Sequence, residues 1–342
     1  MSSLAPIVFS PLSALYEAIT RTRLSLYRRG TFRTVILERP VISVGNLTTG
    51  GTGKTPLVEW VSRLLSANGK KVCILTRGYG RENANRHVLV SDGHSVFPSA
   101  TEAGDEAFLL ATKLQGLAAV VSDADRVSAG EGAIKHLAAD CFVLDDGFQH
   151  LRLARNLDIV TVDATNPWGG GSLLPLGRLR EPVGALRRAD CVVLTRTDQR
   201  EGVQSLVTEV ETHSGARPVF LSRMKPVGLH LLDQAIQAKT QSRRVAAFCA
   251  VGNPESFFAQ LRRDGFELSL EKTFPDHHHY SQADLNRVIE EAKRAGADGL
   301  ITTAKDAVKL EPLNVNFPCY VLEIEIEIEN AAELSRLILN VF

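Results

Sequence analysis

The stretch VISVGNLTTGGTGKTPLVEWVSRLL, residues 41–65, decides the fold. An apolar strand runs into a Gly-rich loop, and an amphipathic helix follows at once. Gly50, Gly51 and Gly53 let backbone N–H groups turn inward around phosphate oxygens, and the helix N-terminus adds the positive end of its dipole. In such a loop Lys54 reaches the β- and γ-phosphates of a nucleotide, and the Thr55 hydroxyl ligates Mg²⁺. The nucleotide cradle therefore comprises Thr48, Thr49, Gly50, Gly51, Thr52, Gly53, Lys54 and Thr55. It departs from the usual G-x-x-x-x-G-K-[ST] pattern at one place, because Thr48 stands where the first Gly belongs.

Working outward, short apolar runs at 40–45, 71–76, 118–122, 141–145, 157–163 and 190–195 alternate with helical stretches near 55–67, 105–114 and 126–138. That alternation predicts an α/β fold, a phosphate-loop NTPase-type parallel sheet covered on both faces. A Pro- and Gly-containing extended passage follows at 221–232, and then a second αβ series. Its strands are expected near 244–250, 266–272 and 299–303, and its helices near 254–264 and 282–295. The tail VLEIEIEI, 321–328, alternates strictly and reads as a strand with one wet face, pairing with 221–232. The expected organisation is thus an N-terminal helix and lead-in over 1–39, a phosphate-loop domain over 40–220, a connector over 221–232, a smaller α/β domain over 233–320, and a return strand with a C-terminal helix over 321–342.

The 342 residues include 39 Lys plus Arg and 39 Asp plus Glu, so the formal net charge is zero and a chain-wide polyanion-binding surface is not expected. Neither nucleic acid nor an obligate protein partner is indicated. The five cysteines are far apart and mostly inside apolar runs, as buried thiols are and as a zinc or disulfide framework is not. No apolar run is long enough for a spanning helix. The first 39 residues nonetheless carry six Arg against two Glu. After a Ser10–Pro11 start, apolar residues recur at helical spacing until Gly30. A basic amphipathic helix suits an anionic membrane surface, and it equally suits packing on a protein core.

Mg²⁺ binding needs carboxylates at the end of a neighbouring strand, and CFVLDDGFQH, 141–150, supplies Asp145 and Asp146 there. Asp105 and Glu106 open a helix in AGDEAFLL, where a base or ordinary helix N-terminal charge both fit. Arg178 and Arg180 in LLPLGRLREP sit in a Pro- and Gly-rich loop, either on phosphate or in solvent. In FPDHHHYS, 274–281, three adjacent His cannot all face one metal; one acting as acid or base is more economical. Ser281 and Asp284 read as a capping box for the next helix.

Taken together, SVGNLTTGGTGKTP, LTRGYGR, AGDEAFLL, LDDGFQH, LLPLGRLREP, FPDHHHYS and TTAKDAVKL resemble the tetraacyldisaccharide 4'-kinases of lipid A biosynthesis, from the N-terminal helix to about residue 311. The resemblance implies ATP and Mg²⁺ as cofactors and transfer of the γ-phosphoryl group to the 4'-hydroxyl of an acylated glucosamine disaccharide 1-phosphate. It also implies monotopic attachment of the N-terminal helix at the cytoplasmic face of the Gram-negative inner membrane. Through it, Lys54 and Thr55 become phosphate and Mg²⁺ residues, Asp105 the base tuned by His277, and Arg180 the loop Arg at the transferred phosphate. Glu106, Asp145 and Asp146 fall in the metal shell, and Tyr79, Arg126, Gln149 and His150 near the disaccharide or its phosphate. Two rivals share the phosphate loop: a membrane-recruited ATPase switch of the partition type, and a metal-delivery or cobalamin-type amide synthetase. The switch class usually carries a second Lys early in the loop, where this chain has Thr49 and Gly50.

Overall fold

The computed structural model describes residues 5–81, 83, 86–97, 99–232 and 243–342. Residues 1–4 of the lead-in, and 233–242, where the smaller domain is expected to open, lie outside the described residues. The chain starts with α1 (Ala5–Arg28), which runs through Pro11 instead of starting at the Ser10–Pro11 pair. Pro11 is on an exposed part of the helix, where water can satisfy the carbonyl that its missing N–H leaves free.

The first strands and helices follow as β1 (Val41–Asn46), α2 (Lys54–Ala67), β2 (Val72–Thr76), β3 (Val88–Ser91), α3 (Ala100–Ala103), α4 (Asp105–Lys113), β4 (Ala118–Ser122), α5 (Arg126–Leu137), β5 (Cys141–Asp145), β6 (Leu157–Asp163), β7 (Cys191–Thr195) and α6 (Val203–Ser214). Every residue of β1, β2, β4, β5, β6 and β7 is buried, as continuous apolar runs in a doubly covered sheet require. The remainder comprises β8 (Val219–Leu231), β9 (Arg244–Cys249), α7 (Pro254–Arg263), β10 (Glu267–Thr273), α8 (Gln282–Arg294), β11 (Leu300–Thr303), α9 (Ala304–Leu310), β12 (Cys319–Ile328) and α10 (Ala331–Leu339).

The twelve strands among the described residues join one sheet in the order β10-β9-β11-β12-β8-β7-β6-β1-β5-β2-β4-β3. The sheet is mostly parallel, with two departures. The edge strand β3, which lacks a strong apolar run, lies antiparallel to β4. The long strand β8 lies parallel to β7 over its first residues and antiparallel to β12 from Ser222 to Leu231, so 221–232 does pair with 321–328. In the second half of β12, Ile326 and Ile328 are buried while Glu325 and Glu327 are exposed, which is the strict alternation of the sequence in physical form.

Core packing follows the sheet. One cluster buries Ile42, Val44, Leu57, Val61, Ile74, Val120 and Val143 under α2 and α4. The same cluster takes in Ile326 and Ile328 of β12 and Leu334 and Ile338 of α10, so the C-terminus returns to the first half of the chain. A separate cluster around Phe248, Leu285, Val288, Ile289 and Leu300 sits under α8. All five cysteines are free and buried, and burial pushes the thiols of Cys73, Cys141, Cys191, Cys249 and Cys319 upward.

Candidate active site

β1 ends at the phosphate loop, and α2 begins at Lys54 with Gly53 as its N-cap in the left-handed region, φ 80°. A Cβ at that position would meet Met224 and Thr195, so both the conformation and the space require glycine. A buried hydrogen-bond net holds the loop from below. Asn46 Nδ2 donates to the Thr48 carbonyl at 2.7 Å and to Thr52 Oγ1 at 2.9 Å, and Thr52 Oγ1 lies 2.8 Å from Thr161 Oγ1. Thr49 to Thr55 line a cleft of about 960 Å³, large enough for a nucleotide beside part of a second substrate. Thr48 does not line it; it is buried and bridged to Leu179, which is where its departure from Gly is absorbed.

Two aspartates stand at the end of β5. Asp146 adopts a left-handed backbone, φ 55°, and its carboxylate accepts from Arg180 Nη1 at 2.7 and 2.9 Å and lies 3.5 Å from Lys54 Nζ. Burial works against its charge, but Lys54 and Arg180 overcome that and hold it down at about 2. Asp145 is the opposite case. Burial, then Glu106 and Asp146, push it up to about 7. Its Oδ2 accepts from Thr76 Oγ1 at 3.2 Å, while its buried Oδ1 has no partner among the described residues.

That orphaned oxygen belongs to a carboxylate repelled by Glu106 and Asp146, and a hard divalent cation there would relieve the repulsion. The donor set suits Mg²⁺: Thr55, Glu106, Asp145 and Asp146 all line the cleft. Among the described residues no cluster of three or more His, Cys, Asp or Glu is close enough to cage an ion unaided. A metal held by one or two protein oxygens plus phosphates and waters is the usual arrangement for Mg²⁺ on a nucleotide.

The third part of the site is assembled from distant segments. Asp105 opens α4, is 2% exposed, and stands with its Oδ2 3.3 Å from His277 Nδ1, 172 positions away. His277 lines the cleft and Asp105 lies behind it. Burial raises Asp105, but the His277 hydrogen bond together with Lys309, His277 and Lys305 hold the carboxyl below its ordinary value. His277 is itself in the left-handed region, φ 60°, packed against the Tyr79 ring at 4.7 Å. Its neighbours have other positions: His278 stacks on Phe274 and lies 3.3 Å from Asp284, and His279 is exposed. The capping box of Ser281 and Asp284 forms as its sequence indicates.

Lys305 ties these groups together. Its Nζ is 3.0 Å from Glu106 Oε1, 3.3 Å from His277 Nε2 and 3.4 Å from Asp276 Oδ1. Burial opposes its charge, and Glu106 and Asp276 raise it nonetheless. At another part of the cleft Arg126 and His150 gather with Arg23 and Arg77. Gln149 Nε2 donates to the Asn46 carbonyl at 2.9 Å, and its Oε1 is 3.5 Å from Arg180 Nη1.

Sequence reading therefore missed Arg23, Arg77, Lys305 and Asn253 as cleft residues. Lys305 lies in TTAKDAVKL, a string that marked a resemblance but carried no assigned chemistry. Asn253 Nδ2 donates to Asp163 Oδ2 at 2.8 Å, and the adjacent Gly252 sits directly on Gly50 and Gly51. No linear motif announces that contact.

The comparisons agree with this geometry. The family model described as Tetraacyldisaccharide-1-P 4'-kinase matches residues 5–342. A tetraacyldisaccharide 4'-kinase of Geobacter metallireducens is 46% identical over 305 residues, covering 88% of this chain and 88% of that protein. One from Syntrophus aciditrophicus is 39% identical over 346 residues, covering 98% and 92%. The solved structure of LpxK from Aquifex aeolicus in complex with ATP superposes with a TM-score of 0.75 at 33% identity, covering 97% of this chain and 98% of that one. With a family match over nearly its whole length and full-length relatives at this identity, the chain belongs to the tetraacyldisaccharide 4'-kinase family.

Proposed function

We propose that this chain transfers the γ-phosphoryl group of ATP to the 4'-hydroxyl of an acylated glucosamine disaccharide 1-phosphate. The observation that carries the reading is the Asp105–His277 pair, in which buried Asp105 from the first half of the chain backs a His from the second half that lines the cleft holding the phosphate loop. A sugar hydroxyl ionises far above neutral pH, so attack on phosphorus needs a proton acceptor within hydrogen-bond reach. The hydroxyl oxygen forms the new bond to the γ-phosphorus, the bond to ADP breaks, and the proton passes to the Asp105–His277 pair.

The phosphate-loop amides and Lys54 hold the nucleotide's phosphates, and Arg180, presented beside Asp146, meets the charge on the transferred group. Oxygens drawn from Thr55, Glu106, Asp145 and Asp146 would hold Mg²⁺ together with the phosphates and water, and the ion would neutralise charge on the phosphates. Tyr79, Arg126, Gln149 and His150 take the disaccharide and its phosphate, joined by Arg23 and Arg77.

The division of the chain into a phosphate-loop domain over 40–220 and a smaller domain over 233–320 belongs to the same proposal, with the β8–β12 ladder as the hinge about which they close. So does attachment to a membrane surface through α1 at the cytoplasmic face of the inner membrane. Phe9, Leu12, Leu15 and Ile19 of α1 are exposed, and no helix among the described residues is long and apolar enough to cross a membrane.

The test is incubation of the purified chain with γ-labelled ATP, Mg²⁺ and the tetraacylated disaccharide 1-phosphate in detergent micelles. The expected result is label at the 4' position, lost about 100-fold or more in Asp105→Ala with little change in ATP affinity. Acceptor-independent hydrolysis of ATP without labelled lipid would instead mark an ATPase switch. Unchanged turnover in Asp105→Ala would remove Asp105 from the base.

A further inference from the structure

Helix α1 has two neighbouring stripes with different surroundings. Leu12, Leu15 and Ile19 are 46%, 57% and 58% exposed. Ser13, one position on, is only 8% exposed, because it is covered by the loop that carries Arg180. Residues 13 and 16 are three apart and so share one face of the helix. Both use that face to hold the loop by its backbone. Ser13 Oγ donates to the Leu173 carbonyl at 3.0 Å and accepts from the Leu176 N–H at 3.0 Å. The Tyr16 hydroxyl donates to the carbonyl of Arg180 itself at 3.0 Å.

The opposite side of this loop is bound to the phosphate loop. The Arg180 N–H donates to the Leu47 carbonyl at 2.7 Å, and the Thr49 N–H donates to the Arg178 carbonyl at 2.7 Å. Thr48 and Leu179 form an antiparallel bridge between those two contacts. Arg180 is therefore fixed at both of its backbone polar groups, one by α1 and one by the start of the phosphate loop. Its guanidinium is left to clamp Asp146. The loop has backbone hydrogen bonds of its own, Leu174 N–H to the Leu179 carbonyl and Leu179 N–H to the Ser172 carbonyl among them, but the bonds at the N–H and carbonyl of Arg180 come from outside it, from Leu47 and Tyr16.

We propose that Ser13 and Tyr16 are positioning residues for phosphoryl transfer. They align Arg180 from α1, so that seating of the helix on a lipid surface and alignment of the loop Arg are one structural event. The inference rests on the phosphotransfer role given above to Arg180. It goes beyond that role in making α1 part of the catalytic frame as well as an anchor.

The experiment uses the full chain in mixed micelles with ATP, Mg²⁺ and the acceptor, comparing wild type with Tyr16→Phe, Ser13→Ala, Ser13→Thr and Arg180→Ala. A displaced catalytic group costs rate without costing ground-state binding. Tyr16→Phe and Ser13→Ala are expected to lower kcat about 10-fold, with KM for ATP and for the acceptor changed less than about 2-fold. Ser13→Thr, which keeps the hydroxyl, is expected to restore the rate. In the Arg180→Ala background Tyr16→Phe should cost nothing further, because the group it aligns is gone.

A penalty that multiplies with Arg180→Ala, or that appears only in acceptor KM, would make Tyr16 an independent substrate contact and overturn the proposal. Unchanged kcat in both single variants would overturn it as well. If Arg180→Ala itself keeps full activity, the role of Arg180 falls separately. Amide hydrogen exchange then decides the bracing: faster exchange at Leu176, whose N–H Ser13 holds, in Ser13→Ala supports it, and unchanged exchange there ends it.

Discussion

His150 carries a ring nitrogen, Nε2, that is buried with no partner among the described residues. Burial, followed by Arg126, Arg155 and Arg23, pushes its pKa down from 6.5 to about 4. Between those two values the unfolded chain binds a proton at this position and the folded chain does not. Stability contributed through His150 is therefore complete above pH 6.5 and is lost as pH falls toward 4. In His150→Gln that dependence disappears, so the wild-type melting temperature should drop relative to the variant by several degrees between pH 7 and pH 4.5, with little change in the gap between pH 7 and 8. Thermal melts of the two proteins across that range check it, and a pH-independent gap would show that the ring titrates normally. The same residue illustrates what the sequence could and could not say. LDDGFQH placed His150 near a strand end by simple adjacency. Its cationic surroundings come from residues 23, 126 and 155, which only the fold brings together. Lys54, Thr55, Asp145 and Asp146 were legible because strand, turn and helix fix their positions locally. The partnership of Asp105 with His277 was not a local matter, nor were the left-handed backbones of Asp146 and His277.

At the scale of elements, legibility followed the length of the apolar or alternating run. The six central strands were readable because a doubly covered parallel strand has to be apolar throughout. The edge strand β3 has an apolar run of only Val88 to Val90, too short to stand out, and the short helices α3 and α9 are too brief to show a period. The N-terminal helix was readable as amphipathic, but periodicity alone did not decide between lipid and protein as its partner. The structure divides the helix between surroundings: Ser13 and Tyr16 bond to the loop that carries Arg180, with Tyr16 at the cleft, while Leu12, Leu15 and Ile19 form an exposed stripe beside them whose far end, Ile19, borders the cleft. If that stripe lies in a lipid surface, a carboxylate placed on it should weaken attachment and leave the fold alone. Leu15→Glu is expected to reduce binding to vesicles containing anionic lipid at least about 10-fold, through lost apolar burial and added repulsion, with a melting temperature close to wild type. Vesicle co-sedimentation at fixed lipid measures this, and undiminished binding would move the attachment surface away from α1.

For the whole molecule, the decisive feature is that the two ends of the sheet meet over one phosphate loop. The turn after β9 carries Val251, Gly252 and Asn253 into the cleft, and buried Asp306 holds the turn's start by accepting from the Ala250 N–H at 3.1 and 3.2 Å. Asn253 then pins it to Asp163. Gly252 lies so close to Gly50 and Gly51 that a Cβ there would collide with backbone atoms of both. Neither side can yield easily, since the phosphate loop is held by the Asn46, Thr52 and Thr161 net. Gly252→Ala should therefore push the second half of the chain away from the first, and with it His277 away from Asp105. Because a displacement of about 1 Å at a reacting group can cost on the order of 100-fold in rate, turnover should fall by 10-fold or more while each half keeps its own core. Steady-state kinetics paired with a distance measurement between labels on α5 and α8 would show the fall and the separation together. Full activity with the distance unchanged would mean that the turn after β9 gives way locally, and that the two halves find their catalytic alignment through the β8–β12 ladder and the Lys305 contacts instead.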